Sequence, residues 1–215
     1  MTILLVVSLD TEEDNWHRSR DGVTAENIRE LPRQARFFER LGVRPTYFTT
    51  YQVTIDPCGA DVMREVGDRG RAEIGAHLHP WNTPPLDEAL SPHNSMVKNL
   101  PARLQRAKLE RLTAALAEAF GQAPTAFRAG RYGIGVDTIP ALVACGYRVD
   151  SSVSPTVDLR STDDGPTFVG APLTPYRLAP GRDICEPASD GPIVEVPLSY
   201  GFNRGPFAFW GPVRQ

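Results

Sequence analysis

Residues Ile74-Gly-Ala-His77-Leu-His79-Pro-Trp81 close a β-rich run with two imidazoles two positions apart. Alternate side chains of a strand share a face. His77 and His79 therefore point the same way, about 7 Å apart along the strand. Two imidazoles on one face at a strand end form half of a metal site, because zinc and related ions accept neutral histidine nitrogen, with a carboxylate to complete the set. The alternative is two histidines in a polar strand end.

Working outward from this strand, Ala72 to His79, the same design repeats on both sides. Ile3 to Leu9 is a continuous apolar run, read as a buried first strand ending at Asp10. Ile28, Leu31, Ala35, Phe38 and Leu41 recur at helical spacing, with Pro32 in the first turn and Gly42 as the stop. Pro45 to Thr50 reads as the second strand and Asp56 to Asp68 as a helix. Pro80 to Pro101 is a loop with five prolines, and a loop of that length is more often functional than idle. Ala102 to Phe120 is the clearest helix, with Leu104, Leu109, Leu112 and Leu116 on one broad face. Ala126 to Arg128 is a short fourth strand, Val136 to Ala144 a helix, and Tyr147 to Asp150 a fifth strand.

Alternating strands and helices imply a parallel sheet, open or closed into a barrel. Polar residues fall at its strand ends: Asp10 after the first, His77 and His79 after the third, Arg128 after the fourth, Asp150 after the fifth. The C-terminal ends of parallel strands are where such folds build their sites. Beyond residue 150 the character changes. Half of the twenty prolines lie between Pro155 and Pro212, and only Ile193 to Leu198 reads as a strand. The expectation is one domain over 1–215, with a βα core at 1–150 and a proline-rich loop region at 151–215.

The 215 residues suit a single domain. With 23 basic and 26 acidic side chains, a net charge of -3 and no basic block, nothing points to nucleic acid as a partner. Three scattered cysteines without a CxxC spacing predict buried free thiols and a reducing compartment. The apolar start is too short to span a membrane and lacks the flanks of a signal peptide. A cytoplasmic protein without a transmembrane segment is the expectation. The sequence leaves the oligomeric state open.

Four carboxylates crowd into Asp10-Thr-Glu12-Glu-Asp14. One carboxylate can ligate a metal while its neighbour takes a proton from water; a solvated acidic loop is the plainer reading. Arg128, closing a strand, needs a carboxylate partner, and Asp10 is the obvious one. Asp150-Ser151-Ser152 can orient a neighbouring group or simply start a turn. Trp16, Trp81, Tyr132 and Trp210 sit near these motifs and can stack on sugar rings or fill a core.

Over about residues 3 to 155, these pieces together resemble the polysaccharide deacetylase family, also called carbohydrate esterase family 4 or the NodB-homology domain. The resemblance implies a parallel-stranded (β/α) barrel, possessing fewer strands here than the family's barrel needs, and a hydrolase that removes N-acetyl groups from a polysaccharide or sugar precursor. It implies Asp10 as general base, Arg128 as its partner and Asp150 as part of a fourth catalytic motif. It also implies a divalent metal, zinc by preference, on Glu12, His77 and His79, and a carbohydrate substrate near Trp16, Trp81, Tyr132 and His93. The chain departs from the family in four places. Thr11 stands where the metal-binding acid usually follows the base, so Glu12 takes that part. The histidines are two apart rather than four. Gly130 replaces a proline in the arginine motif. The C-terminal histidine that protonates the leaving amine is missing: either the chain is a fragment, which is the expectation, or the acid comes from elsewhere, with His93, and after it His17, as internal substitutes. Two alternatives stay open: hydrolysis of other non-peptide C–N bonds in small amides, and sugar binding without turnover.

Overall fold

The computed structural model of the chain describes residues 4–15, 23–67 and 72–199. Six strands run parallel in the order β1 (Ser8–Thr11), β2 (Thr46–Thr50), β3 (Glu73–Leu78), β4 (Ala126–Ala129), β5 (Val149–Asp150) and β7 (Ile193–Glu195). β6 (Tyr176–Leu178) joins antiparallel on the far side of β7. The helices are α1 (Leu31–Arg40), α2 (Tyr51–Ile55), α3 (Pro57–Gly67), α4 (Ala102–Phe120) and α5 (Thr138–Ala144). From β1 to β5 each strand lies beside its predecessor in sequence. The sheet winds one way without reversal, which is the progression of a (β/α) barrel and not of a doubly wound sheet. Among the described residues it stays open, with β1 and β6 as its edges.

The two faces of the sheet have opposite tasks. Tyr47, Ala76, Leu78 and Phe127 point toward the helices and are fully buried. There α4 lays Leu109, Leu112 and Leu116, each at most 1% exposed, against β3 and β4. Burying each of these side chains contributes roughly 1.5–3 kcal/mol. Met63, Val66 and Val53 cover Tyr47 in a second cluster. The alternate residues Phe48, His77 and Arg128 face the other way. α4 ends where Gly121 turns left-handed (φ 77°) and its N–H bonds the Ala117 carbonyl at 2.9 Å.

The βα order and α4 agree with the sequence reading. Other expectations change. The buried first strand expected over Ile3 to Leu9 is shorter and shifted: pairing begins at Ser8, and Leu4, Leu5 and Val6 are 65–85% exposed. Among the described residues β1 is an edge strand, with no second neighbour over its start. Thr50, expected at a strand end, also caps α2, which the pattern did not reveal; its hydroxyl accepts from Val53 N–H at 3.4 Å. The loop from Pro80 to Pro101 contains two single 3-10 turns. The proline-rich region contributes β6 as well as β7, both paired into the main sheet. The cysteines are free as expected, but Cys58 is exposed and the other two only half-buried. Among the described residues no helix is long and apolar enough to cross a membrane.

Candidate metal centre

The four clustered carboxylates separate into four jobs as β1 ends. Asp10 Oδ1 accepts from Arg128 Nη1 at 2.7 Å. Glu12 Oε1 lies 3.0 Å from His77 Nε2 and 3.5 Å from His79 Nε2. Glu13, 1% exposed, turns inward, where it takes the Thr50 hydroxyl at 2.7 Å, the Asn82 amide and His79 Nδ1 at 3.4 Å. Asp14 accepts from the Thr24 hydroxyl and the amides of Glu26 and Asn27, so it caps the segment leading into α1.

Both histidines are anchored through Nδ1. His77 Nδ1 sits 3.0 Å from the Arg128 carbonyl, an acceptor only, so it carries the proton there. Its Nε2 faces Glu12 at 3.0 Å. His79 Nδ1 is turned to Glu13 and its Nε2 again faces Glu12. The rings are 4.7 Å apart, and Trp81 stacks on His79 at 4.3 Å and 21°. Gly130 gives His79 its room, since a Cβ there would run into the imidazole and the Leu78 carbonyl.

The electrostatics follow from these contacts. Burial pushes the Glu12 carboxyl up, but hydrogen bonds and charge from His77 and His79 outweigh it and hold it well below the usual carboxylate range. Glu13 is likewise held down against its burial, chiefly by His79. Burial alone would lower His79; the bonds to Glu12 and Glu13 raise it to about 9. The donor atoms of Glu12, His77 and His79 all lie within 4.8 Å of one another. A tetrahedral zinc with bonds near 2.0–2.1 Å needs neighbouring ligand atoms about 3.3 Å apart. The two separations from Glu12, 3.0 and 3.5 Å, bracket that spacing, so the donor set fits such an ion in type and on its carboxylate side.

Asp10 stands beside this set, with Oδ2 4.0 Å from His77 Nε2. Arg128 is almost fully buried and its guanidinium is held on every side. Nε donates to the Ser151 carbonyl, Nη2 to the hydroxyls of Ser8 and Ser151, and Phe48 lies beneath it at 4.4 Å. The segment after His79 is fixed from α4. Lys108, wholly buried, donates to the carbonyls of Pro80, Thr83 and Pro85 at 2.6–2.8 Å and pairs with Glu88 at 3.0 Å.

The structure thus brings Asp10, Glu12, His77, His79 and Arg128 together. Asp150 is fully buried on the helix-facing side of the sheet, bonded to Ser152. It supports the site from behind and does not enter it. Trp81 is 7% exposed with one face on His79, so it braces the histidine and offers no platform for a sugar. Tyr132 is half-buried and left-handed (φ 57°) beside Gly130. His93 is exposed on the long loop and bonded to Asp164 at 2.9 Å. Trp16, His17 and Trp210 lie outside the described residues. Sequence reasoning missed Glu13, Lys108 and the Ser8 and Ser151 contacts to Arg128. For Glu13 the available signal was its place next to Glu12, which does not tell which acid turns inward.

No family model matches the sequence, and no curated protein matches it. Solved structures do. A Mycobacterium smegmatis protein named as a polysaccharide deacetylase aligns over 91% of this chain with a TM-score of 0.59 and 21% identity. A Parabacteroides distasonis protein named as a glycoside hydrolase/deacetylase aligns over 89% (TM-score 0.56, 15% identity), and the 4-alpha-glucanotransferase of Thermococcus litoralis over 90% (0.55, 12%). The chain spans 58%, 44% and 27% of the lengths of these three proteins. Its one-way parallel sheet is the (β/α)-barrel-type fold that it shares with the polysaccharide deacetylase structure.

Proposed function

We propose that this chain carries the catalytic centre of a metal-dependent hydrolase that removes N-acetyl groups from a polysaccharide or sugar precursor. The observation behind this reading is the convergence of Glu12, His77 and His79 beside an Asp10 carboxylate clamped by Arg128. The shared fold supports it. Glu12, His77 and His79 would hold a divalent ion, zinc by preference, which when bound supplies Lewis acidity toward an amide carbonyl and lowers the pKa of water.

The rest falls to the chain's own side chains. Asp10 is tied through Oδ1 and keeps Oδ2 toward the histidines, where it can take a proton from an attacking water. Arg128 fixes the direction of that carboxylate. Glu13 and the Arg128 carbonyl hold both imidazoles by Nδ1, so that each presents Nε2. Backbone amides near Tyr132 are the candidates to stabilise the developing oxyanion. His93, bonded to Asp164, is the candidate to protonate the departing amine, and Tyr132 and Trp16 are candidates for contact with the sugar.

Elemental analysis of the purified protein beside a His77→Ala, His79→Ala double variant tests the centre. About one equivalent of zinc in the parent, lost in the variant, is expected, followed by acetate release from N-acetylglucosamine oligomers and no ring opening of small cyclic amides. Absence of metal from both proteins after incubation with zinc would reject the mechanism. Turnover of cyclic amides, or tight oligosaccharide binding without acetate, would replace the substrate reading.

A further inference from the structure

β5 and β7 are parallel neighbours, and their register sets Asp150 opposite Glu195. Both side chains are wholly buried and face the helices, away from the site. Asp150 is fully engaged: Oδ1 accepts the Ser152 hydroxyl at 2.7 Å and Oδ2 the Ser152 N–H at 3.2 Å. Glu195 Oε1 accepts the Val153 N–H at 3.1 Å, while Oε2 has no donor among the described residues. The surrounding groups do not supply a cation of their own. Arg128, on β4, is the nearest positive charge and is committed to Asp10. Tyr176, on β6, stands opposite Glu195 and donates its hydroxyl to the Ile184 carbonyl at 2.5 Å, with Cys185 and Asp183 close to it. Two adjacent buried carboxylates without a cation cannot both stay ionised. One proton between them removes the clash and gives Glu195 Oε2 a partner.

The pair also frames the turn that holds Arg128. Ser151 accepts from Arg128 Nε through its carbonyl and from Nη2 through its hydroxyl, and that hydroxyl donates to the Val196 carbonyl at 2.8 Å. The Ser152 hydroxyl accepts the Ala129 N–H at 2.9 Å. Val196 N–H bonds the Asp150 carbonyl at 2.8 Å. Asp150 fixes Ser152, Glu195 fixes Val153, and Ser151 is left with one orientation.

We propose that Glu195 is a positioning residue that holds one proton against Asp150 and, through the Ser151–Val153 turn, sets the guanidinium of Arg128. Burial and the Asp150 charge, which push the Glu195 carboxyl well above the ordinary range, agree with this. The proposal goes beyond the deacetylase reading, and its test needs neither metal nor turnover.

The test follows the side-chain carboxyl 13C resonances and the Arg128 Nε–H resonance of the full chain against pH, in the parent, Glu195→Gln and Glu195→Ala. The Glu195 carboxyl should remain protonated at neutral pH. Gln supplies a donor where the acid proton was, so Glu195→Gln should keep the Arg128 resonance in place and lose the Glu195 share of the parent's fall in thermal stability as pH rises above the ordinary carboxylate range. Ala should shift the Arg128 resonance and speed its exchange at least tenfold. Titration of Glu195 in the ordinary carboxylate range overturns the shared proton. An Arg128 resonance unmoved by Ala, or moved as far by Gln as by Ala, overturns the positioning role. Should the Ala variant fail to fold, the parent titration and the Gln variant decide by themselves.

Discussion

Two pairs of carboxyls sit on opposite faces of one sheet and are shifted in opposite directions. In front, Glu12 and Glu13 face two imidazoles and are held ionised, while His79 is raised to about 9. Behind, Asp150 and Glu195 face each other and are both pushed up. Burial acts in the same direction on all four. What differs is the partner: the end of β3, two strands away, offers histidine to the acids that follow β1, whereas β7, next to β5, offers Asp150 another acid. The lesson is that the state of a buried acid is set by the group that faces it more than by depth.

The largest expected effect breaks the front cluster altogether. Replacing His77 and His79 with Ala should abolish metal uptake and bring acetate release to background, a fall of about 10^4-fold or more given what such ions supply; stoichiometric metal in that variant would count against the ligand set. Next comes Asp10→Asn, which should retain metal and lose about 10^3-fold in kcat, within the range of a positioned base. Lys108→Met tests a third buried charge, one satisfied by carbonyls and Glu88. It should cost about 3 kcal/mol of unfolding free energy in denaturant titration, as expected when one partner of a buried pair is removed. Glu13→Gln keeps the shape and removes the charge behind His79. A weakening of metal affinity of about 10- to 100-fold, read by competition with a chelator, is expected for loss of such a support.

The smallest effect sharpens the comparison with pH. In the metal-free protein the stability that His79 gains from its acids is complete below about pH 6.5 and is lost as pH rises through about 9. The contribution of Glu12 and Glu13 is present above about pH 4.5 and is lost as pH falls. Glu195, raised in the fold, takes stability away as pH rises above the ordinary carboxylate range. A saturating divalent ion should remove the His79 component of the alkaline loss, a change of a few degrees in Tm, and leave the Glu195 component in place.

Much of this was legible in the sequence because it rests on periodicity. The helix over 102–120 coincides with α4, and the strand-end positions of Asp10, His77, His79 and Arg128 place them in one cluster. What stayed hidden depends on contacts across the chain. Glu13 follows the end of β1, where strand alternation no longer says which way a side chain points. Lys108 lies one turn from both Leu104 and Leu112 on the buried face of α4, and only the carbonyls of Pro80, Thr83 and Pro85 explain how a lysine is held there. Glu195 sits in a short apolar run, and only its register with Asp150 gives it meaning. Leu4 to Val6 read as core because apolar content cannot distinguish an edge strand's start from a central one.

The position of β1 has a consequence for the order in which the molecule opens. Among the described residues this strand has a neighbour on one side only, yet Asp10 lies on it and Glu12 and Glu13 follow it directly. Their partners, His77 and Arg128, ride on central strands. Local unfolding starts where contacts are fewest, so among the described residues the acidic half of the centre lies at an edge of the sheet that detaches more cheaply than its central strands. An ion that bridges Glu12 to His77 and His79 therefore acts as a staple across that seam. The amides of β1 would exchange with solvent ahead of those of β3 and β4 in the metal-free protein, and slow selectively once the seam is closed.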